Sequence, residues 1–83
     1  VNEVVSQPEL MDTARRWAID IEACSPMSIR ATKQVAYQSL NESDLEKSMQ
    51  AQYSAVGDLL SSEDFVEGPV AFAEKRAPEW KGR

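Results

Sequence analysis

Carboxylates are the side chains whose type and spacing invite a chemical reading first. Asp20 with Glu22 and Glu63 with Glu67 are the pairs that one helical face could bring together, and such a pair can in principle share acid–base work. That work needs an apolar pocket to set the two groups apart, and nothing in the surrounding sequence marks one. Carboxylates so spaced in helices are mostly caps and solvated surface. Other chemistries are excluded outright. There is no histidine, so Ser-His-Asp catalysis, Cys-His catalysis and His-ligated zinc are all impossible within this chain. A single cysteine, Cys24, rules out an internal disulfide and a zinc-thiolate cluster. No basic residue adjoins Cys24 to lower its pKa, and it ends an apolar helical stripe, so it is expected to be a small buried hydrophobe. The three glycines are isolated and form no phosphate-cradling loop. Trp17, Tyr37, Tyr53, Phe65, Phe72 and Trp80 are more often core or interface than a stacking platform.

The elements that would carry these residues are helical. Ser6-Gln7-Pro8-Glu9 reads as a helix start, with Ser6 as cap, a proline in the first turn and Glu9 completing a capping box. Leu10, Ala14, Trp17, Ala18 and Ile21 then recur at helical spacing, predicting a helix over 7–23. Ser25-Pro26 repeats the start signal, and the second helix carries Ile29, Ala36 and Leu40 on one face. Asn41-Glu42 breaks it. Ser43 with Glu46 forms a second capping box, opening a third helix with Leu45, Met49, Tyr53, Val56 and Leu60 on its inner stripe. Gly57 within that stripe calls for a tight packing contact or a local bend, since it costs about 1 kcal/mol relative to alanine. Asp64 with Glu67 supplies a third box for a last helix through about Arg76. Pro69 leaves two options: a kinked helix, or a loose turn over 64–68 with Pro69 at the first helical position. Val1 to Val5 is the one plausible strand, too short to make a sheet alone.

Composition agrees with a small helical unit. The 83 residues are 42% hydrophobic and 28% charged, with a net charge of −5. That apolar content argues against wholesale disorder, and a chain of this length buries only about 60% of its unfolded surface. The acidic balance argues against a nucleic-acid or anionic-membrane partner. No stretch approaches a membrane span and no basic-then-apolar leader opens the chain, so a soluble, cytoplasmic module is expected. The chain opens on Val1 rather than Met, and a longer parent chain is therefore expected. Charge is uneven. Residues 41–68 hold seven acids and one base, whereas residues 74–83 hold four bases and two acids.

The run from Ser62 to Gly82 adds a family. Ser62-x-Asp64-x-x-Glu67-Gly68, then Ala71-Phe72-x-Glu74-Lys75-Arg76, then Pro78-x-Trp80-x-Gly82 resembles the C-terminal signature of the enoyl-CoA hydratase/isomerase (crotonase) family. Val1 to Val5 is similar to the segment leaving that family's ββα spiral. The stretch from Ala18 to Lys33, with Ile21, Ser25-Pro26 and Lys33, is similar to its A-x-x-I…P…K pattern. The resemblance runs along nearly the whole chain in order and spacing.

What it implies is part of an enzyme. The fold expected is all-α, about four amphipathic helices, the C-terminal helical part of a crotonase-like fold whose spiral domain is absent from this chain. Residues 1–5 would end the connection from the spiral domain, and residues 6–83 would form the helical region that packs on it and on neighbouring subunits of a trimer or hexamer. The implied parent activity is hydration or isomerisation of enoyl-CoA thioesters through an enolate held in an oxyanion hole, with carboxylates moving protons. Acyl-CoA is the implied substrate, no covalently bound cofactor is expected, and no catalytic residue lies in the chain. The 83 residues alone are expected to be inactive and to self-associate. One site residue follows from the resemblance: Lys75, which in the family can approach the phosphate or adenine end of CoA. A lysine suits a phosphate as a point charge. The alternative for Lys75 is a solvated charge or an ion pair with Glu79 or the acidic stretch. Arg76 reads as structural, Val56 stands where some members place an adenine-touching aromatic, and Phe72 and Trp80 read as packing anchors. The competing reading of the whole is a free-standing helical interaction module that binds a partner through its apolar face.

Overall fold

The structure, a computed structural model, describes residues 1–83. A 3-10 turn, Gln7–Glu9, leads into α1 (Leu10–Glu22), followed by α2 (Pro26–Ser39), α3 (Leu45–Gln50), α4 (Ser54–Leu60) and α5 (Glu63–Glu74). The fold is all-α, as expected, and contains no strand; Val1 to Val5 is unpaired chain. No helix is long and apolar enough to cross a membrane. No cluster of three or more His, Cys, Asp or Glu could hold a metal ion.

Helix starts follow the local chemistry at two of the four expected places. The backbone N–H and hydroxyl of Ser6 both donate to the Glu9 carboxylate, closing the first capping box. Ser25 Oγ accepts from the N–H groups of Met27 (3.2 Å) and Ser28 (3.3 Å), with Pro26 at the first helical position. Elsewhere the cap shifts. Asp44, not Ser43, caps α3 by accepting from Glu46 N (3.0 Å) and Lys47 N (3.3 Å). Ser62, not Asp64, caps α5 through Phe65 N (3.2 Å). Pro69 lies inside a continuous α5, which rules out the loose turn over 64–68 with Pro69 at the first helical position and leaves the option of a proline within the helix.

The third expected helix is two. The chain is extended at Ala51 (ψ 143°) and Tyr53 (ψ 120°), separating α3 from α4. The Tyr53 hydroxyl donates to Ser48 O (2.9 Å) and holds the break. Tyr53 has no side-chain oxygen within reach to cap α4, and Gln34 on α2 does it instead. Its Oε1 accepts from Ala55 N (2.8 Å) and its Nε2 donates to Ser54 Oγ (3.0 Å). That bond belongs to the most extensive helix pairing in the molecule, α2 on α4. On α2, Ala31 is buried and Gln34 and Val35 are half-buried, while Ala36 and Leu40, expected inward, are exposed. The bend expected at Gly57 lies four residues earlier, and a Cβ at Gly57 would meet nothing within 4 Å.

The molecule is a plate, 44 × 40 × 19 Å, with a radius of gyration of 16.2 Å. A compact domain of this length has a radius of about 12 Å. Its accessible surface is 6910 Å², against about 5,000 Å² for a compact monomer of this mass. Only Ser25, Ala31, Ser62, Asp64 and Ala71 are buried, and no large apolar side chain is fully enclosed. Leu10, Met11, Ile19 and Ile21 on α1, Leu45 and Met49 on α3, and Phe65 and Phe72 on α5 are all exposed. Cys24 is exposed too, against expectation, although its neighbours Ala23 and Ser25 are engaged by Trp80 and Asp64.

Candidate functional site

The signature residues of the last helix converge on the tail that follows it. Residues 77–83 fold back along α5, and two carboxylates one helical turn apart grip the tail's backbone. Asp64 Oδ1 accepts from Lys81 N (2.7 Å) and Gly82 N (3.1 Å), and its Oδ2 accepts from Ser25 Oγ (2.6 Å). Glu67 Oε1 accepts from Glu79 N (2.7 Å). Glu63 adds a third hold, donating its N–H to Arg83 O (2.7 Å) while its carboxylate meets Arg83 Nε at 3.1 Å. The Trp80 ring packs over Gly68, where a Cβ would meet it at 3.4 Å in ordinary contact, and Gly82 takes a left-handed turn (φ +71°) that a side chain would strain. Trp80 Nε1 reaches past α5 to donate to Ala23 O (2.9 Å) at the end of α1.

Ser25 and Asp64 form the buried centre of this clasp. Ser25 caps α2 and donates to Asp64, so one hydroxyl ties the start of α2 to the start of α5 across 39 positions of sequence. The hydrogen bond from Ser25, aided by those from Lys81 and Gly82, holds the Asp64 carboxyl below its usual range against the opposing effect of burial. Glu67 is pulled down to about 2, first by its hydrogen bonds from Arg76 and then by that from Glu79 N. Both groups are therefore ionised acceptors at neutral pH, fully engaged with donors. Neither is free to abstract a proton. The Glu63–Glu67 pair is structural, because its members face Arg83 and Arg76 instead of each other.

Of the four bases at the end of the chain, two are neutralised. Arg76 forks onto Glu67 (2.6 and 3.0 Å) and donates Nε to Glu74 (2.6 Å), confirming its structural reading. Arg83 pairs with Glu63. Lys75 enters no ion pair, neither with Glu79 nor with the acidic stretch, and its side chain is exposed. Its backbone is unusual: φ 54°, ψ 39° makes it the only non-glycine residue in the left-handed region. Arg76 N donates to Ala71 O (3.1 Å) and Lys75 N to Phe72 O (3.2 Å), the pair of bonds that closes a helix with a left-handed residue, normally glycine. A side chain in that conformation costs about 1–2 kcal/mol. Phe72 projects into solvent, at 87% exposed, so it anchors nothing within this chain, whereas Trp80 is half-buried and does. Asp20 and Glu22, expected on one helical face, lie two residues apart on α1 and so point to different sides of it, both exposed and apart from the clasp.

An all-helical plate closed by this S-x-D-x-x-E-G clasp defines a class of chain, and comparison with known proteins agrees on which. The family model for enoyl-CoA hydratase/isomerase matches residues 1–83, and the chain belongs to that family. It is 47% identical over 87 residues to a carnitinyl-CoA dehydratase of Escherichia coli O157:H7, covering 100% of this chain and 33% of that protein. It is 45% identical over 86 residues to a carnitinyl-CoA dehydratase of Proteus mirabilis, covering 99% of this chain and again 33% of the relative. Among solved structures, an enoyl-CoA hydratase/isomerase from Mycobacterium paratuberculosis superposes with a TM-score of 0.91 at 30% identity. An enoyl-CoA hydratase from Mycobacterium tuberculosis does so at 0.89, also with 30% identity, and both matches cover 100% of this chain and 32% of the other. The chain thus spans about a third of the length of its relatives.

Proposed function

We propose that these residues are the C-terminal helical region of an acyl-CoA-processing enzyme of the enoyl-CoA hydratase/isomerase family. Residues 1–5 end the connection from the spiral domain, and residues 6–83 cover that domain and the subunit interface of a trimer or hexamer. The parent enzyme works on an acyl-CoA thioester in the cytoplasm, without a bound cofactor, nucleic acid or membrane. It stabilises the thioester enolate in an oxyanion hole and moves protons with carboxylates that lie outside this chain. Within the chain, Lys75 is the residue offered to CoA, as a point charge for a phosphate, and the 83 residues alone turn nothing over. The observation that carries this reading is the end-to-end match at a TM-score of 0.91 to a third of an enoyl-CoA hydratase/isomerase. It leaves the exposed apolar faces of α1, α3 and α5 for the other two-thirds of such a fold and its neighbours.

The identities of 45% and 47% to carnitinyl-CoA dehydratases favour loss of water from a 3-hydroxyacyl-CoA as the direction to test first. Dehydration and hydration share one enolate, so a single assay addresses both. The parent enzyme, given carnitinyl-CoA, crotonyl-CoA and related thioesters, is expected to interconvert hydroxyacyl and enoyl forms of at least one. Failure on every thioester, with a folded protein, would contradict the proposal.

A further inference from the structure

The Lys75 turn is held in a conformation it would not choose. Lys75 occupies the left-handed position at the end of α5 that glycine ordinarily fills. The next residue, Arg76, explains why it stays there. Its guanidinium is fixed on three carboxylate oxygens, two from Glu67 and one from Glu74, and its Nη1 also donates to Ala77 O (3.2 Å). Glu67 is itself immobilised, because the Glu79 N–H donates to the same carboxylate. Relaxing Lys75 into a right-handed turn would swing Arg76 off Glu67 and pull the tail from α5. The ion pairs on either side also spare Lys75 a partner: Glu67 and Glu74 are occupied by Arg76, and Glu63 by Arg83.

We infer that Glu67 and Arg76 are positioning residues for Lys75, their fork locking the left-handed turn that presents its ammonium to a phosphate of acyl-CoA. This rests on the reading of Lys75 as a CoA contact. The benefit is preorganisation: a lysine on a fixed turn gives up less freedom on binding than one on a fraying helix end.

The test compares KM for an acyl-CoA with KM for the matching acyl-pantetheine, which lacks the adenosine phosphates, in the parent enzyme and its variants. Lys75→Ala is expected to cut the advantage of the CoA substrate by about 5- to 30-fold. Glu67→Gln and Arg76→Lys, which keep side-chain size or charge but lose the paired fork, should each cut it by about 3- to 10-fold. In a Lys75→Ala background neither should cut it further. An unchanged CoA advantage in Lys75→Ala would defeat the contact reading itself. A collapse in Lys75→Ala with none in Glu67→Gln or Arg76→Lys would keep the contact and overturn the positioning role. An equal loss from Arg76→Lys or Glu67→Gln with and without Lys75 would also overturn it, since the fork would then act only on the fold. Lys75→Gly supplies a readout that needs no catalysis. Glycine relieves the left-handed turn, so this variant should melt about 2–4 °C above Lys75→Ala in an enzyme of family length. A melting temperature equal to or below that of Lys75→Ala would mean the turn is not held under strain, and the inference would fall.

Discussion

The two ends of this chain meet opposite fates. From Ser62 onward nearly every signature side chain finds a partner in the same 83 residues: Asp64 and Glu67 hold the tail, Arg76 holds Glu67, Gly68 receives Trp80, and Ser62 caps α5. At the other end, α1 has as regular an apolar stripe, yet it rests mainly on its own 3-10 turn. Glu3 reaches over to Arg16 (2.6 and 2.7 Å) and to Trp17 Nε1 (2.9 Å), but Leu10, Met11, Ile19 and Ile21 remain open. The difference separates two uses of sequence. Polar residues at the C-terminal end specify contacts inside the segment, whereas apolar residues on α1 specify contacts with something outside it. A surface excess of roughly 1,900 Å² over a compact monomer is the size of a full protein interface.

Substitutions can break this contrast or sharpen it. The largest effect should come from Trp80, with Trp17 as its contrast. Trp80→Ala removes the ring over Gly68 and the bond to Ala23 O, and should destabilise the isolated chain by about 2–4 kcal/mol in denaturant melts. Trp17→Ala should cost the isolated chain about 1 kcal/mol or less, because Trp17 is 40% exposed and packs only locally. In the parent enzyme the two costs should converge.

Acid should act next, most strongly on the clasp. A smaller loss is expected at the other end, where hydrogen bonds from Trp17 and Arg16 hold Glu3 below its usual range and those from Ser6 hold Glu9 below its own. Glu67 titrates near 2 in the folded chain and near the ordinary glutamate value of about 4.3 once unfolded. Its folded value is depressed, so the stability it contributes is whole above the unfolded value and is lost as pH falls towards 2. Asp64, also depressed, adds to the loss in the same direction. Trp80 fluorescence should report tail release between about pH 4.5 and pH 2, and Glu67→Gln should flatten that transition. An unchanged transition in Glu67→Gln would remove Glu67 from the clasp.

Ser25→Ala should cost about 1–2 kcal/mol, since it deletes both the α2 cap and the Asp64 contact, and Ser25→Thr should recover part of that. The smallest effects concern glycine. Gly82→Ala should cost about 1 kcal/mol because of the left-handed turn, while Gly57→Ala, opening onto free space, should stabilise α4 by about 0.5–1 kcal/mol.

The sequence carried the local signals and missed those made at a distance. Ser6, Ser25 and Pro26 mark helix starts within a few residues of themselves, and the structure places the starts there. The break at Ala51 to Tyr53 contains neither glycine nor proline; it exists because Gln34, twenty residues away, caps α4 and Tyr53 turns back to Ser48. Asp64 and Glu67 read as a capping box because carboxylates near a helix start usually serve that end. Their true partners are amides of the tail, and only Gly68, Trp80 and Gly82 hinted at a segment returning to the helix. The exposure of Leu40, Cys24 and Phe72 was illegible for the opposite reason, since periodicity reports that a face is apolar and not what covers it. Family resemblance located the signature correctly without revealing that its acids clasp a tail.

Hydrogen exchange, residue by residue, on the isolated chain and on the parent enzyme tests the central contrast most directly. The account predicts that the amides of Glu79, Lys81 and Gly82 exchange slowly in both, because their acceptors, Glu67 and Asp64, lie within the chain. It predicts that the amides of α1 exchange rapidly in the isolated chain and become protected only in the parent enzyme. Slow exchange of α1 in the dilute, monomeric chain, or fast exchange of the three tail amides there, would contradict it.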